Sequence, residues 1–180
     1  MRYIPNILSI VRILMVGVFI GFFSTGRYQA ALSVYIFAFA TDVLDGRIAR
    51  RFHWVTSIGK LLDPLADKLM TVTALICIYI GKGTPVFLIL LLLVALKELL
   101  MIAGAIVMVR KKIVAFADLF GKLSAGLFVV GILLCLLSFT DPAVEGWGVG
   151  VLIAATCCSY IALVHYAVSQ FSGVFGKRLP

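Results

Sequence analysis

DVLDGRIARRFHWVTSIGKLLDPLAD, residues 42–67, holds four of the eight acidic residues in a chain of 180. Asp42, Asp45 and Ala49 stand at i, i+3 and i+7, so on a helix they share one face, with Gly46 beside them. Gly59, Asp63 and Asp67 stand at i, i+4 and i+8 and share a face in the same way. Two helices joined by a short basic loop therefore bring four carboxylates together. Such a cluster repels itself unless a divalent cation neutralises it or one member keeps a proton. Hard cations of the magnesium type take oxygen ligands, and favour sites where substrate phosphates complete the shell.

The surroundings of this stretch are those of a membrane protein. The sequence is 63% hydrophobic and only 13% charged, against roughly 25% charged in soluble domains, and its mean hydropathy is +1.15. Apolar runs near 7–23, 28–44, 62–80, 85–109, 119–139 and 147–169 are close to the length a bilayer core requires. The expected fold is all-α: an integral membrane bundle of about six transmembrane helices in a single domain over residues 1–180. Arg2, Arg47, Arg50, Arg51, Lys60, Arg110, Lys111, Lys112, Lys177 and Arg178 fall at one set of helix ends. The opposite ends carry only Arg27 and Lys82, so the positive-inside rule puts both termini and the 42–67 loop on the cytoplasmic side of the cell membrane. Topology and attraction to anionic lipid account for much of the +8 net charge. With the basic residues spread along one membrane face, a nucleic-acid partner is not expected. The first run lacks a small-residue cleavage site and is read as a span, not a cleaved leader. Cys77, Cys135, Cys157 and Cys158 lie in apolar runs without metal-ligand spacing and read as buried small hydrophobes.

The pattern D-x2-D-G-x2-A-R-x8-G-x3-D-x3-D, matched by Asp42, Asp45, Gly46, Ala49, Arg50, Gly59, Asp63 and Asp67, resembles the signature of the CDP-alcohol phosphatidyltransferases. These are integral-membrane enzymes of phospholipid synthesis. Pro5, Asn6, Leu8, Ser9 and Arg12 resemble the start of the bacterial phosphatidylglycerophosphate synthases within it. The resemblance implies that Asp42, Asp45, Asp63 and Asp67 hold Mg2+ (or Mn2+), with Asp67 also the base that takes the acceptor's proton. It implies that Gly46, Ala49, Arg50 and Gly59 bind the CDP moiety of CDP-diacylglycerol. Glycine suits this work because it leaves the backbone open to a nucleotide, and arginine because its planar fork binds phosphate oxygens in pairs. A homodimer in the lipid bilayer is implied as well.

On the acceptor side the sequence departs from these relatives. Lys97 and Glu98 interrupt the fourth apolar run where Arg-Glu is usual, and the second arginine expected two turns later falls near Ala105. Lys97, Arg110 and Lys122 could bind the phosphate of glycerol 3-phosphate, or serve as topogenic charges, with Lys97 paired to Glu98. Phosphatidylglycerol, the cardiolipin synthase acceptor, is the alternative; residues 100–105 have some of that character. A cation transporter with a carboxylate ion site is the competing class, but it predicts that site at the midplane and repeat symmetry, whereas the four aspartates fall at one cytoplasmic edge and no repeat is evident. Arg12 lies inside the first run, where snorkelling to the interface is the favoured expectation and facing the carboxylates the alternative. Gly146, Gly148 and Gly150 read as small-residue packing positions.

Overall fold

The computed structural model describes the backbone of residues 4–52, 59–111 and 119–175, and the side chains of 10–43, 66, 68–104, 120–165 and 168. The described residues form six α-helices: α1 (Ile4–Ser24), α2 (Tyr28–Phe52), α3 (Gly59–Lys82), α4 (Pro85–Lys111), α5 (Leu119–Leu137) and α6 (Glu145–Phe175). A 3-10 turn, Pro142–Val144, precedes α6. Each helix matches one apolar run, and most outrun it at the polar end, α2 by eight residues. Hydropathy marks the part of a helix that suits lipid, whereas backbone hydrogen bonding continues beyond it.

The turns follow from local chemistry. Gly26 takes a φ of 73° after α1, with its N–H on the Phe23 carbonyl at 3.0 Å and that of Arg27 on Phe22 at 3.0 Å. This left-handed cap satisfies two carbonyls the helix end would leave bare. Gly83, at φ 65°, ends α3 in the same hand, and its N–H reaches the Tyr79 carbonyl at 2.8 Å. Pro85 then opens α4, where its missing N–H costs nothing. Asp141 caps the 3-10 turn, its Oδ1 accepting from the Ala143 N–H at 3.1 Å.

Helix α1 packs on α2 and α3, α5 lies along α6, and α3 and α4 join the two groups. Phe19, Tyr35, Leu75, Ile78, Phe87, Ile132, Leu136 and Leu152 are buried among them. Leu14, Phe37, Ile80 and Leu99, by contrast, are exposed on the outside. Among the described residues, three segments are long and apolar enough to cross a membrane: Pro85–Gly104, Phe120–Leu137 and Pro142–His165. A large apolar exterior is what lipid, not water, tolerates. The chain is a membrane protein.

One end of the bundle is closed by aromatic rings. Tyr28 stacks on Phe139 at 4.4 Å between centroids, and Phe23 meets the same ring edge-on at 5.2 Å. The Lys82 ammonium sits 4.7 Å from the Phe139 centroid and bonds Glu145 at 3.0 Å, tying α3 to α6. Arg27 and Lys82, the two basic residues expected at this end, thus lie beside the closure or in it.

Helices α5 and α6 touch through glycine. A Cβ on Gly148 would lie 2.7 Å from Cys135 Sγ and 3.0 Å from its backbone nitrogen, and one on Gly131 would lie 2.8 Å from Leu152. Gly148 is thus the packing position the sequence indicated. Gly146 and Gly150 face open space, and Gly131 went unnoticed. Gly148→Ala is expected to destabilise by about 1–3 kcal/mol, because a backbone atom cannot step aside as a side chain can. Gly150→Ala is expected to be neutral or stabilising by up to about 1 kcal/mol. Thermal unfolding of both variants in the same detergent checks the contrast.

Candidate active site

Away from the aromatic closure, all six helices wall a cavity of about 810 Å³. Its lining comes from Arg12 of α1, the middle of α2 (Tyr35 to Asp42) and the middle of α3 (Lys68 to Val72). Helices α4, α5 and α6 add Val94 to Met101, Gly121 to Val129, and Ser159 to Leu163. Most of this wall is apolar, and the charged groups gather at six positions: Arg12, Asp42, Lys68, Lys97, Glu98 and Lys122.

Arg12 overturns the expectation of snorkelling. Its residue is 2% exposed, and its Nη2 donates to Asp42 Oδ1 at 2.6 Å, so α1 and α2 are joined by an ion pair across the cavity wall. A buried arginine needs a compensating charge, and the first aspartate of the 42–67 stretch supplies it. The Asp42 side chain keeps 34% of its exposure, at the cavity. A charge inside an apolar run demands a partner. That rule points toward a nearby acid, yet only the fold tells that Asp42, thirty residues on, is the one Arg12 meets.

Glu98, on α4, takes two ammonium groups at once. Its Oε1 pairs with Lys97 and its Oε2 with Lys68 of α3. The Lys97–Glu98 pair weighed from the sequence is therefore present, extended by a third member that the sequence did not single out. Lys68 follows Asp67 directly, so this bridge fastens α3 beside its last aspartate. Lys122 is exposed at the cavity and, among the described residues, takes part in no ion pair. Ser124 and Ser159 line the wall too, but each donates its hydroxyl to a carbonyl of its own helix, Gly121 at 2.9 Å and Thr156 at 2.8 Å. Tyr160 ties α6 to α4 by donating to the Leu93 carbonyl at 2.8 Å.

Of the expected site residues, Asp42, Lys97 and Lys122 meet at this one cavity. Asp45, Gly46, Ala49 and Arg50 lie on the last turns of α2, Gly59 opens α3, and Asp63 and Asp67 follow on it; their side chains are outside the described residues. The side chain of Arg110, near the end of α4, is outside them as well. Only six residues, 53–58, separate the end of α2 from the start of α3, so both halves of the aspartate pattern stand at the same end of the bundle.

Comparison with known proteins finds relatives over most of the chain. Residues 2–169 match the family described as CDP-alcohol phosphatidyltransferase. A protein of Pseudomonas fluorescens named CDP-diacylglycerol–glycerol-3-phosphate 3-phosphatidyltransferase is 45% identical over 83 residues, 44% of this chain and 43% of that protein. One of the same name from Aquifex aeolicus is 32% identical over 136 residues, 72% of this chain and 76% of that protein. A Streptomyces coelicolor protein named cardiolipin synthase (CMP-forming) is 35% identical over 107 residues, 56% of this chain and 50% of that protein. The chain thus spans less than half the length of the Pseudomonas relative and about three quarters of the Aquifex one.

Proposed function

The chain belongs to the CDP-alcohol phosphatidyltransferase family, and on that premise we propose that it moves the phosphatidyl group of CDP-diacylglycerol to a hydroxyl of glycerol 3-phosphate. The products are CMP and phosphatidylglycerol phosphate. One observation carries the choice of acceptor: Lys122, a cation without an ion pair among the described residues, opens onto the same cavity as Asp42. A small anionic acceptor is what such a lysine would hold. The names of the Pseudomonas and Aquifex relatives favour the same acceptor.

The family is generally dependent on a divalent metal. Asp42, Asp45, Asp63 and Asp67 form an all-carboxylate donor set suited to a hard cation, and the Asp42 carboxylate is open to the cavity where one would sit. We assign these four residues to Mg2+, with Mn2+ as its substitute. Bound there, the cation would neutralise the diphosphate and the charge that CMP carries away. Gly46 and Gly59 leave the backbone bare for the cytidine, with the small Ala49 beside them, and Arg50 forks onto the diphosphate. Asp67 accepts the proton of the acceptor hydroxyl. The hydroxyl oxygen bonds to the phosphorus that carries the diacylglycerol, and the bond from that phosphorus to CMP breaks. The apolar wall of the cavity accommodates acyl chains that stay in the bilayer.

Lys122 is assigned to the acceptor phosphate, and Arg110 joins it from the end of α4. Lys97 is held by Glu98 and contributes the residual positive charge of a group with two lysines and one glutamate. In this reading the single domain of residues 1–180 crosses the cell membrane six times as a homodimer, with both termini and the cavity facing the cytoplasm. A water-soluble nucleotide leaves most readily on that side. A second reading, transfer to phosphatidylglycerol, is favoured by the Streptomyces relative.

Lys122→Met tests the acceptor assignment. A charge-assisted hydrogen bond to phosphate is worth about 1.5–3 kcal/mol, so the KM for glycerol 3-phosphate should rise roughly 10- to 150-fold. The KM for CDP-diacylglycerol should stay within about twofold. An unchanged acceptor KM removes Lys122 from the site.

A further inference from the structure

We propose that Glu98 is a positioning residue that keeps Lys68 and Lys97 off the aspartates, so that these two ammonium groups do not compete with the cation there. The inference rests on the metal assignment above. It starts from a contrast within one cavity. Arg12 has no glutamate near it in sequence and lies on Asp42, at 2.6 Å. Lys68 and Lys97 line the same cavity, and both lie on Glu98. Three of the four basic side chains in this wall, all but Lys122, go to an acid, and Glu98 decides which acid Lys68 and Lys97 take.

Lysine suits the diversion. Its ammonium rides on a flexible four-carbon stem with three donors, so a lysine released from Glu98 can swing toward the next carboxylate of the cavity. Lys68 directly follows Asp67, and Asp42 shares its cavity. An ammonium on a metal-ligating carboxylate competes with the cation for the same oxygens and adds like-charge repulsion to its approach. Glu98 itself is on the middle of α4, and nothing in the sequence pattern makes it a ligand. Its side chain is 17% exposed and both of its oxygens are engaged by lysine. A glutamate buried to this degree in an apolar helix is costly, and the bridge it makes between α3 and α4 offsets that cost.

The test is binding of Mn2+ alone, without substrate, to the detergent-solubilised full chain, followed by loss of the free-ion spin-resonance signal. Glu98→Gln is expected to weaken Mn2+ binding about tenfold or more, the equivalent of one close unscreened charge at a partly hydrated site. Glu98→Gln combined with Lys68→Met and Lys97→Met is expected to bring the affinity back to within about threefold of the wild type, because the competing ammonium groups are gone. A merely structural glutamate predicts the reverse, since three substitutions in the wall would bind no better than one. Glu98→Gln with wild-type affinity, or a triple variant as weak as the single one, overturns the inference while the metal assignment stands. A wild type that takes up no Mn2+ overturns both. If Glu98→Gln does not fold, Glu98→Asp decides: a carboxylate withdrawn by one methylene cannot hold both lysines, so affinity several-fold below wild type supports the inference and unchanged affinity sinks it.

Discussion

Asp67→Asn should slow CMP release by roughly 10²–10⁴-fold, the range that a positioned general base contributes. The asparagine keeps the shape of the side chain and a carbonyl oxygen for the cation, but cannot take up the hydroxyl proton. Binding of CDP-diacylglycerol in the presence of Mg2+ should therefore persist, with its KM changed little while kcat collapses. Asp42→Asn is expected to differ in kind, because Asp42 is assigned to the cation and not to the proton. There the Mg2+ concentration needed for half-maximal rate should rise, and excess Mg2+ should recover part of the rate. If Asp67→Asn turns over at the wild-type rate, Asp67 is not the base and the proton must leave by another route.

The second large effect is one of stability. Arg12 is buried at 2% exposure and lies on Asp42 at 2.6 Å. Breaking a fully buried pair costs about 3–5 kcal/mol. Asp42 retains 34% of its side-chain exposure, so water recovers part of that, and Arg12→Leu is expected to cost about 2–3 kcal/mol, nearer the value of one charged hydrogen bond. In a chain of this size that is a fall in Tm of roughly 4–12 °C. The accompanying double variant, Arg12→Leu with Asp42→Asn, should be less destabilised than the single one because no unpaired carboxylate remains. Equal losses in the two variants would mean that Arg12 matters through its packing and not through Asp42.

Much of the fold was legible in the chain because a bilayer writes its requirement into composition. Six apolar runs gave six helices, with starts that agree to within a few residues from Tyr28 to Glu145. The ends were less legible. Hydropathy alone stops α2 near residue 44; the spacing of Asp42, Asp45 and Ala49 asks for helix beyond it, and the helix runs to Phe52 because polar residues hydrogen-bond their backbone as readily as apolar ones. Gly148 could be read as a contact from its apolar setting. Yet Gly146 and Gly150, read in the same way, face open space, and Gly131 was passed over, because what each glycine meets is set by the neighbouring helix: Cys135 for Gly148 and Leu152 for Gly131.

The candidate site divides in the same way. The spacing of Asp42, Asp45, Asp63 and Asp67 is a property of single helices, and the sequence carries it whole. The pairing of Arg12 with Asp42 and of Lys68 with Glu98 joins residues thirty apart on different helices, and no periodicity connects them. Lys97 shows the intermediate case. The sequence allowed it either a substrate phosphate or Glu98, and the fold put it on Glu98 at the wall of the cavity. Where charges sit in an apolar chain is plain from the sequence, but what each one neutralises depends on how the helices meet.

The most direct measurement is a panel of acceptors. Purified protein in detergent, with Mg2+ and CDP-diacylglycerol, is offered glycerol 3-phosphate, phosphatidylglycerol, serine and inositol phosphate in separate reactions, and CMP and lipid product are both scored. Release of CMP with glycerol 3-phosphate alone, giving phosphatidylglycerol phosphate, is the predicted result. Turnover with phosphatidylglycerol in place of glycerol 3-phosphate would contradict it and make the chain a cardiolipin synthase, with the Lys97–Glu98 pair the first place to look for the reason.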